Sequence, residues 1–333
     1  MSTLPFTFEA LLKSQAFPHR PDRVELVQTQ MSFIFLTGEY VYKVKKSVNL
    51  GYLDYTTLEK RQFFCRQELE LNRRLCPVAY LAVVPVVRED GDLRVEGQGE
   101  AVEYAVKMRQ LPRDRMMDVL LPRGQVTAEM VAMVAQRVVS FHQKAETKEE
   151  IAAFGGLDVI RHNCDENFAQ TEKYIGLTIL WVKYERIKDY TDDFIKSNAP
   201  LFEKRVREGR IRDCHGDLHA AHVCFTDDIC IYDCIEFNDR FRYCDVASEL
   251  GFLAMDLDRY GQAALSRRLV DSYVELSHDE GLLKLLDFYK CYRAYVRGKV
   301  EGFKLDDALI SESEKAKALE NARRYFELAE SYV

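Results

Sequence analysis

The stretch that most constrains this chain is His215-Gly216-Asp217-Leu218-His219-Ala220-Ala221-His222, followed by Ile231-Tyr232-Asp233-Cys234-Ile235-Glu236-Phe237. A glycine set among imidazoles and carboxylates, with apolar runs on both sides, calls for a turn that delivers polar atoms to one place. Val223-Cys224-Phe225 and Ile229-Cys230-Ile231-Tyr232 are rich in strand formers, and Thr226-Asp227-Asp228 between them is turn chemistry. The two runs are therefore expected to pair as a hairpin, with Asp217 and His222 at one end and Asp233 and Glu236 beyond the end of the second strand.

At 333 residues the chain is long enough for two lobes with substantial cores, and 47% hydrophobic with 30% charged is ordinary globular composition. A formal net charge of −7 argues against a general nucleic-acid or anionic-membrane binder. Nine cysteines without paired spacing, and a start (Met1 to Phe6) lacking charged and apolar leader regions, fit a reducing cytoplasm. No apolar run reaches the roughly 18 residues that span a bilayer.

Upstream, Phe8 to Leu12 reads as a short helix, and Val24 to Thr29, Ser32 to Leu36 and Tyr40 to Lys45 read as strands, with Thr37-Gly38-Glu39 a tight turn. Leu58 to Leu75 has helical spacing, with Phe64, Leu71 and Leu75 on the expected buried stripe and Pro77 ending it. Leu81 to Val87, Leu93 to Val95 and Ala101 to Met108 complete a strand-rich first part. Thr127 is positioned to cap a helix running to His142, its buried stripe Val131, Val134, Val138 and Phe141. Residues 156 to 210 are helical and polar, and further helices follow over 247 to 260, 263 to 276, 282 to 300 and 312 to 332. No G-x-x-x-x-G-K-[ST] phosphate loop occurs.

The order of loop, acid, polar ligand, hairpin and second acid resembles the catalytic segment of the aminoglycoside phosphotransferase and choline kinase families, which share the protein-kinase-like fold. Their first motif reads H-G-D-x-x-x-x-N and their second I-D-F-[DE]. His215, Gly216 and Asp217 match directly, His222 stands at the Asn position, and Glu236 is aligned with the second acid, with Asp233 its rival. Asp245-Val246-Ala247-Ser248-Glu249-Leu250 resembles the D-x-x-x-D-L run that follows.

The resemblance implies an α+β bilobal fold: residues 1–110 a nucleotide-binding antiparallel sheet with a helix, residues 111–333 a helical lobe with the catalytic loop and a metal-binding hairpin. It implies an ATP-dependent phosphotransferase acting on a hydroxyl of a small molecule. Such chemistry needs a carboxylate near the acceptor and oxygen ligands for Mg²⁺ or Mn²⁺ on the phosphates. Asp217, with His215 beside it, is expected as the catalytic base; His222, Glu236 and Asp233 as metal ligands; Lys43, preferred to Lys45, as the phosphate-gripping lysine; and Glu68 as its helix partner. Ser32 and neighbouring amides would replace the glycine-rich phosphate loop that Gln28 to Ser32 lacks, and Met108 precedes the hinge, Arg109 to Pro112, where adenine would bond.

Three further readings follow from residue chemistry. His215, His219 and His222 with Cys214, Cys224, Cys230 and Cys234 are the ligand types of a transition-metal site, although the cysteines lack C-x-x-C spacing and also suit a small-hydrophobe role. The missing glycines and the His222 and Glu236 replacements fit a kinase-like fold that binds nucleotide without catalysis. Arg293, Arg297 and Lys299, on a late helix with Tyr289, Tyr292 and Tyr295, face either an acceptor cleft or solvent. An imidazole at position 222 is a softer ligand than an amide oxygen and must be neutral to coordinate. With an ordinary pKa of about 6.5, it predicts a shift toward Mn²⁺ and a loss of metal-supported activity as pH falls through roughly 5 to 7. His142 is expected to be structural.

Overall fold

Strand-forming alternation over the first part of the chain produces a six-stranded antiparallel sheet. Its strands are β1 (Glu25–Gln28), β2 (Ser32–Leu36), β3 (Tyr40–Lys45), β4 (Tyr80–Glu89), β5 (Asp92–Val95) and β6 (Ala101–Arg109), in the order β1-β2-β3-β6-β4-β5. The computed structural model describes residues 6–308 and 310–333. They form two compact units: one runs through residue 119 and takes in 222–239, the other comprises 120–221 and 240–333. Against the lobe boundary expected at residue 111, the first unit runs to residue 119 and the chain returns to it after the H-G-D turn.

In the sheet unit, β3 is a central strand covered on both faces. Tyr42 and Val44 enter an apolar cluster with Leu11, Phe17, Phe33, Phe35, Val84 and Val86, below a 3₁₀ helix over Phe6–Leu12. Because side chains alternate, Lys43 and Lys45 share the opposite face. Helix α1 (Leu58–Arg73) covers that face, capped by Thr57, which accepts the Lys60 amide. Of the expected stripe, Leu75 is buried just past the end of α1 and Phe64 and Leu71 are half-buried; within α1 the buried residues are Arg61, Cys65, Glu68 and Asn72. A sheet face carrying two lysines demands an acidic partner, and Glu68 supplies it.

The hairpin of β8 (Val223–Phe225) and β9 (Ile229–Ile231) forms with Val223 opposite Ile231. Cys230 lies against Cys76, 154 residues away, their Cα atoms 4.6 Å apart. Both are buried in the apolar cluster with Cys65, Tyr80, Val106 and Cys224, the small-hydrophobe role expected of Cys230.

The chain leaves the first unit at the end of α2 (Met117–Leu120), and the second unit is helical: α3 (Ala128–Lys144), α4 (Glu149–Ala152), α5 (Leu157–Thr171), α6 (Trp181–Ser197) and α7 (Ala199–Arg207). β7 (Ile211–Asp213) pairs with β10 (Tyr243–Asp245) around the H-G-D turn. α8 (Asp239–Arg242), α9 (Val246–Arg259), α10 (Ala263–Ser277), α11 (Leu286–Phe303) and α12 (Glu312–Glu330) complete it. α3 carries the Thr127 cap and buries Val131, Val134, Val138 and Phe141 as expected. α9 is buried along nearly its whole length, as a helix packed between α10 and α11 must be. Arg205 is 1% exposed and clasps Asp245 at 2.6 and 2.8 Å while also reaching Asp279. Trp181, the single tryptophan, opens α6, stacked on Tyr184 at 5.8 Å and 58% exposed. Among the described residues no helix is long and apolar enough to cross a membrane.

Candidate functional site

Two lysines on one strand face converge on one glutamate. Lys43 Nζ lies 2.8 Å from Glu68 Oε1 and 2.7 Å from Asp233 Oδ1. Lys45 Nζ lies 2.8 Å from Glu68 Oε2 and also bonds Glu236 Oε1, which accepts the Tyr55 hydroxyl at 2.6 Å. Burial alone would drive both ammonium groups toward neutrality, but Asp233 and Glu68 around Lys43, and Glu236 and Glu68 around Lys45, hold them charged. Glu68 is likewise penalised by burial and kept ionised by the two lysines.

Asp233 follows β9 directly, at a φ of +64°. That conformation costs an L-residue on the order of 1 kcal/mol and is retained where surroundings over-determine it. Here the Asp233 amide donates to Tyr80 Oη at 3.3 Å and the Cys234 amide to Asn72 Oδ1 at 2.9 Å. His222, just before β8, has Nε2 3.6 Å from Asp233 Oδ2, its ring beside Tyr232. Of the three expected metal ligands, His222 and Asp233 thus face each other, while Glu236 is engaged with Lys45 and Tyr55.

A divalent cation, which the resemblance implies, fits this donor set. Two ammonium groups, Lys43 and Lys45, stand against three carboxylates, Glu68, Asp233 and Glu236, and the side chain most open to solvent is Asp233 at 41%. Carboxylate oxygen is the donor Mg²⁺ prefers, and an imidazole beside it also admits Mn²⁺.

The other expected nucleotide residues are placed differently. Ser32 is 2% exposed, and the amides of Met31 and Ser32 donate to Thr29 Oγ1 at 3.3 and 3.0 Å. Those two N–H groups are thus turned into the β1–β2 turn, where the sequence reading had them cradle a phosphate. Met108 packs with Cys65, Tyr80, Met116 and Cys224, and beyond it the Arg109 and Gln110 amides donate to Ala79 and Glu39 carbonyls.

In the helical unit, Gly216 takes a φ of +86°, the left-handed geometry that makes glycine necessary at this turn. Glu249 Oε1 accepts both the His215 and Gly216 amides at 2.7 Å, and Oε2 meets His142 Nε2 at 2.7 Å. His142 Nδ1 in turn meets the Tyr273 hydroxyl at 2.8 Å, the structural task expected of it. Burial acts to raise the Glu249 carboxyl, but the bonds from His142 and Gly216, with His215 nearby, bring it down to about 2. His215 is 1% exposed and receives the Asp217 amide on Nδ1 at 3.3 Å, so it shapes the turn. Asp217 Oδ2 lies 3.6 Å from His219 Nε2, its side chain 30% exposed.

Neither expectation for the late helix describes all three cations. Arg293 is 8% exposed and donates to the Gly216 carbonyl at 3.1 Å and to Ser248 Oγ at 3.1 Å. Lys299 donates to Asn167 Oδ1 at 2.6 Å and Gln170 Oε1 at 2.7 Å, and burial pulls its pKa down to about 8. Arg297 loses solvation but is held charged by Tyr325 and Asp217. Of the thiols in the histidine–cysteine reading, burial pushes Cys224 up to about 11 and Cys214 well above its ordinary value, while Cys214, His142 and Glu249 present ligand atoms within 4.8 Å of one another.

Sequence reasoning missed Tyr55 and the bracing role of Glu249. The place of Glu249 in the Asp245-to-Leu250 run, on a helix buried from Val246 to Leu257, was the available signal for the second. Tyr55 lies in a loop with no periodicity to mark it.

No family model matches the sequence. An uncharacterized protein of Mycobacterium tuberculosis and one of Mycobacterium bovis are each 30% identical over 279 residues, 84% of this chain and 54% of the relative. The chain therefore spans about half the length of the curated relatives it matches. Among solved structures, an aminoglycoside phosphotransferase from Alicyclobacillus acidocaldarius aligns at a TM-score of 0.51 and 12% identity, over 99% of this chain and 95% of that one. A choline/ethanolamine kinase family protein from Mesorhizobium loti aligns at 0.50 and 12%, over 98% and 99%. At such identities the likeness is one of architecture: this chain has the α+β, protein-kinase-like fold of the aminoglycoside phosphotransferases and choline/ethanolamine kinases.

Proposed function

We propose that the protein is an ATP-dependent phosphotransferase whose acceptor is a hydroxyl of a small molecule. The observation that carries this reading is Lys43 held charged between Glu68 and the solvent-open Asp233. A lysine so fixed can neutralise and orient phosphate oxygens without losing its proton. Asp233 and His222 are the residues that would hold a divalent cation, which supplies further charge neutralisation on the phosphates when bound. Glu236, occupied by Lys45 and Tyr55, is left out of that assignment.

Asp217 serves as the base. As the bond from the γ-phosphorus to the ADP oxygen breaks and one to the acceptor oxygen forms, the acceptor's proton passes to the Asp217 carboxylate. Glu249 and Arg293 hold the turn that presents it. The experiment is a thermal-shift titration with ATP and Mg²⁺ or Mn²⁺, followed by transfer assays over a panel of small alcohols. Metal-dependent stabilisation together with a phosphorylated product is expected. No stabilisation by any nucleotide would overturn the reading.

One observation favours a second reading, nucleotide binding without transfer: the β1–β2 turn closes on its own Thr29. Stabilisation by ATP with no product across the panel would select it.

A further inference from the structure

We infer that Lys45, Tyr55 and Glu236 are positioning residues that set the place of Asp233 and the rotamer of Glu68; this rests on the nucleotide-binding reading above.

The loop between β3 and α1, residues 46–57, is fastened to residues 236–238 at three successive points. Tyr55 donates to Glu236, Tyr52 packs against Phe237 at 5.9 Å, and Asn238 Nδ2 donates to the Tyr52 carbonyl at 3.1 Å. Tyr55 is itself immobilised: it is 1% exposed, its carbonyl accepts Arg61 at 2.9 Å, and Arg61 is held by Glu103 at 2.7 Å. Lys45 sits over the Tyr55 ring at 4.8 Å and joins Glu236 to Glu68.

The consequence runs along the chain in both directions. Glu68 has one oxygen on each lysine, so its carboxylate plane is set by two cations rather than one. Glu236, three residues past Asp233, anchors the far side of a turn whose near side is held by Tyr80 and Asn72. The left-handed backbone at Asp233 is thus clamped at both ends, and the acid is presented in one orientation. A lysine and glutamate paired only for stability would be replaceable by uncharged groups of similar volume, because a buried ion pair contributes little net stability over such a replacement. A positioning pair would not.

The test compares Lys45→Met, the double variant Lys45→Met/Glu236→Gln, and Tyr55→Phe with the wild-type chain. Melting temperature and the ATP dissociation constant in the presence of Mn²⁺, by calorimetry, are the two readouts. Lys45→Met is expected to lower the melting temperature by about 10 °C, because it leaves the buried Glu236 without its cation. The double variant should recover most of that loss while its ATP dissociation constant stays raised about tenfold. Tyr55→Phe, which keeps every charge, should raise the constant about threefold and covers the case in which the double variant does not fold. A double variant, or failing that a Tyr55→Phe protein, that binds ATP as the wild type does would overturn the inference alone. A wild-type protein that binds no ATP would overturn the nucleotide reading with it.

Discussion

The two charged clusters of this protein are built on opposite plans. Around Lys43 and Lys45 the principal contacts run from side chain to side chain, ammonium groups against carboxylates. Around the H-G-D turn, Glu249 spends its oxygens on two backbone amides and an imidazole, and Arg293 spends a donor on a backbone carbonyl. The first plan leaves an excess carboxylate at a solvent-open position, which suits a place where charge arrives and leaves. The second fixes the shape of a turn and keeps Asp217, its partly exposed acid, outside the brace. Electrostatics pairs side chain with side chain in one unit and side chain with backbone in the other.

The largest expected effect separates the two plans directly. Asp217→Ala should lower transfer by about 10³-fold while changing the ATP dissociation constant less than about twofold. Lys43→Ala should weaken ATP binding by about tenfold or more. Parallel steady-state and calorimetric measurements check both, and equal losses of binding in the two variants would break the division.

Next in size is the brace. The Glu249 carboxyl titrates near 2 in the fold against an ordinary 4.5, so on acidification the unfolded chain takes up its proton first. The stabilisation is complete above about pH 4.5 and is lost as pH falls toward 2, a total on the order of 3 kcal/mol. Glu249→Gln should therefore lower unfolding free energy at pH 7 by about that amount, and the gap from wild type should narrow by pH 3. Urea denaturation at the two pH values measures this; a constant gap would mean the carboxylate's charge does not carry the brace.

The smallest effect sharpens the cation-side cluster. His222→Asn should shift metal preference from Mn²⁺ toward Mg²⁺ by about fivefold, because an amide oxygen replaces an imidazole. It should also flatten the acid limb of metal-dependent activity. Metal-dependence curves for both proteins at two pH values are the measurement, and superimposable curves would remove His222 from the ligand set.

Much of this was legible in the sequence where the cause is local. β2 and β3 fall on the expected residues, Thr127 caps its helix, and the hairpin after the H-G-D turn forms around Thr226–Asp228, because alternation, capping and turn chemistry act within a few residues. Chain position alone singled out Glu68, and the structure puts it against both lysines. What stayed hidden is long-range. The partners of Glu236 lie 181 and 191 residues away, and Cys76 meets Cys230 across 154. The burial of Glu68 on α1 was hidden for the same reason, since only the folded sheet reveals that two lysines point at that helix.

The stacked, largely exposed Trp181 gives the protein a built-in optical reporter of one half only. It is the single indole in the chain and belongs to the helical unit. Melting of the sheet unit has no indole of its own to register, so tryptophan emission and far-ultraviolet circular dichroism should separate whenever the two units lose structure at different temperatures, and coincide when they unfold together.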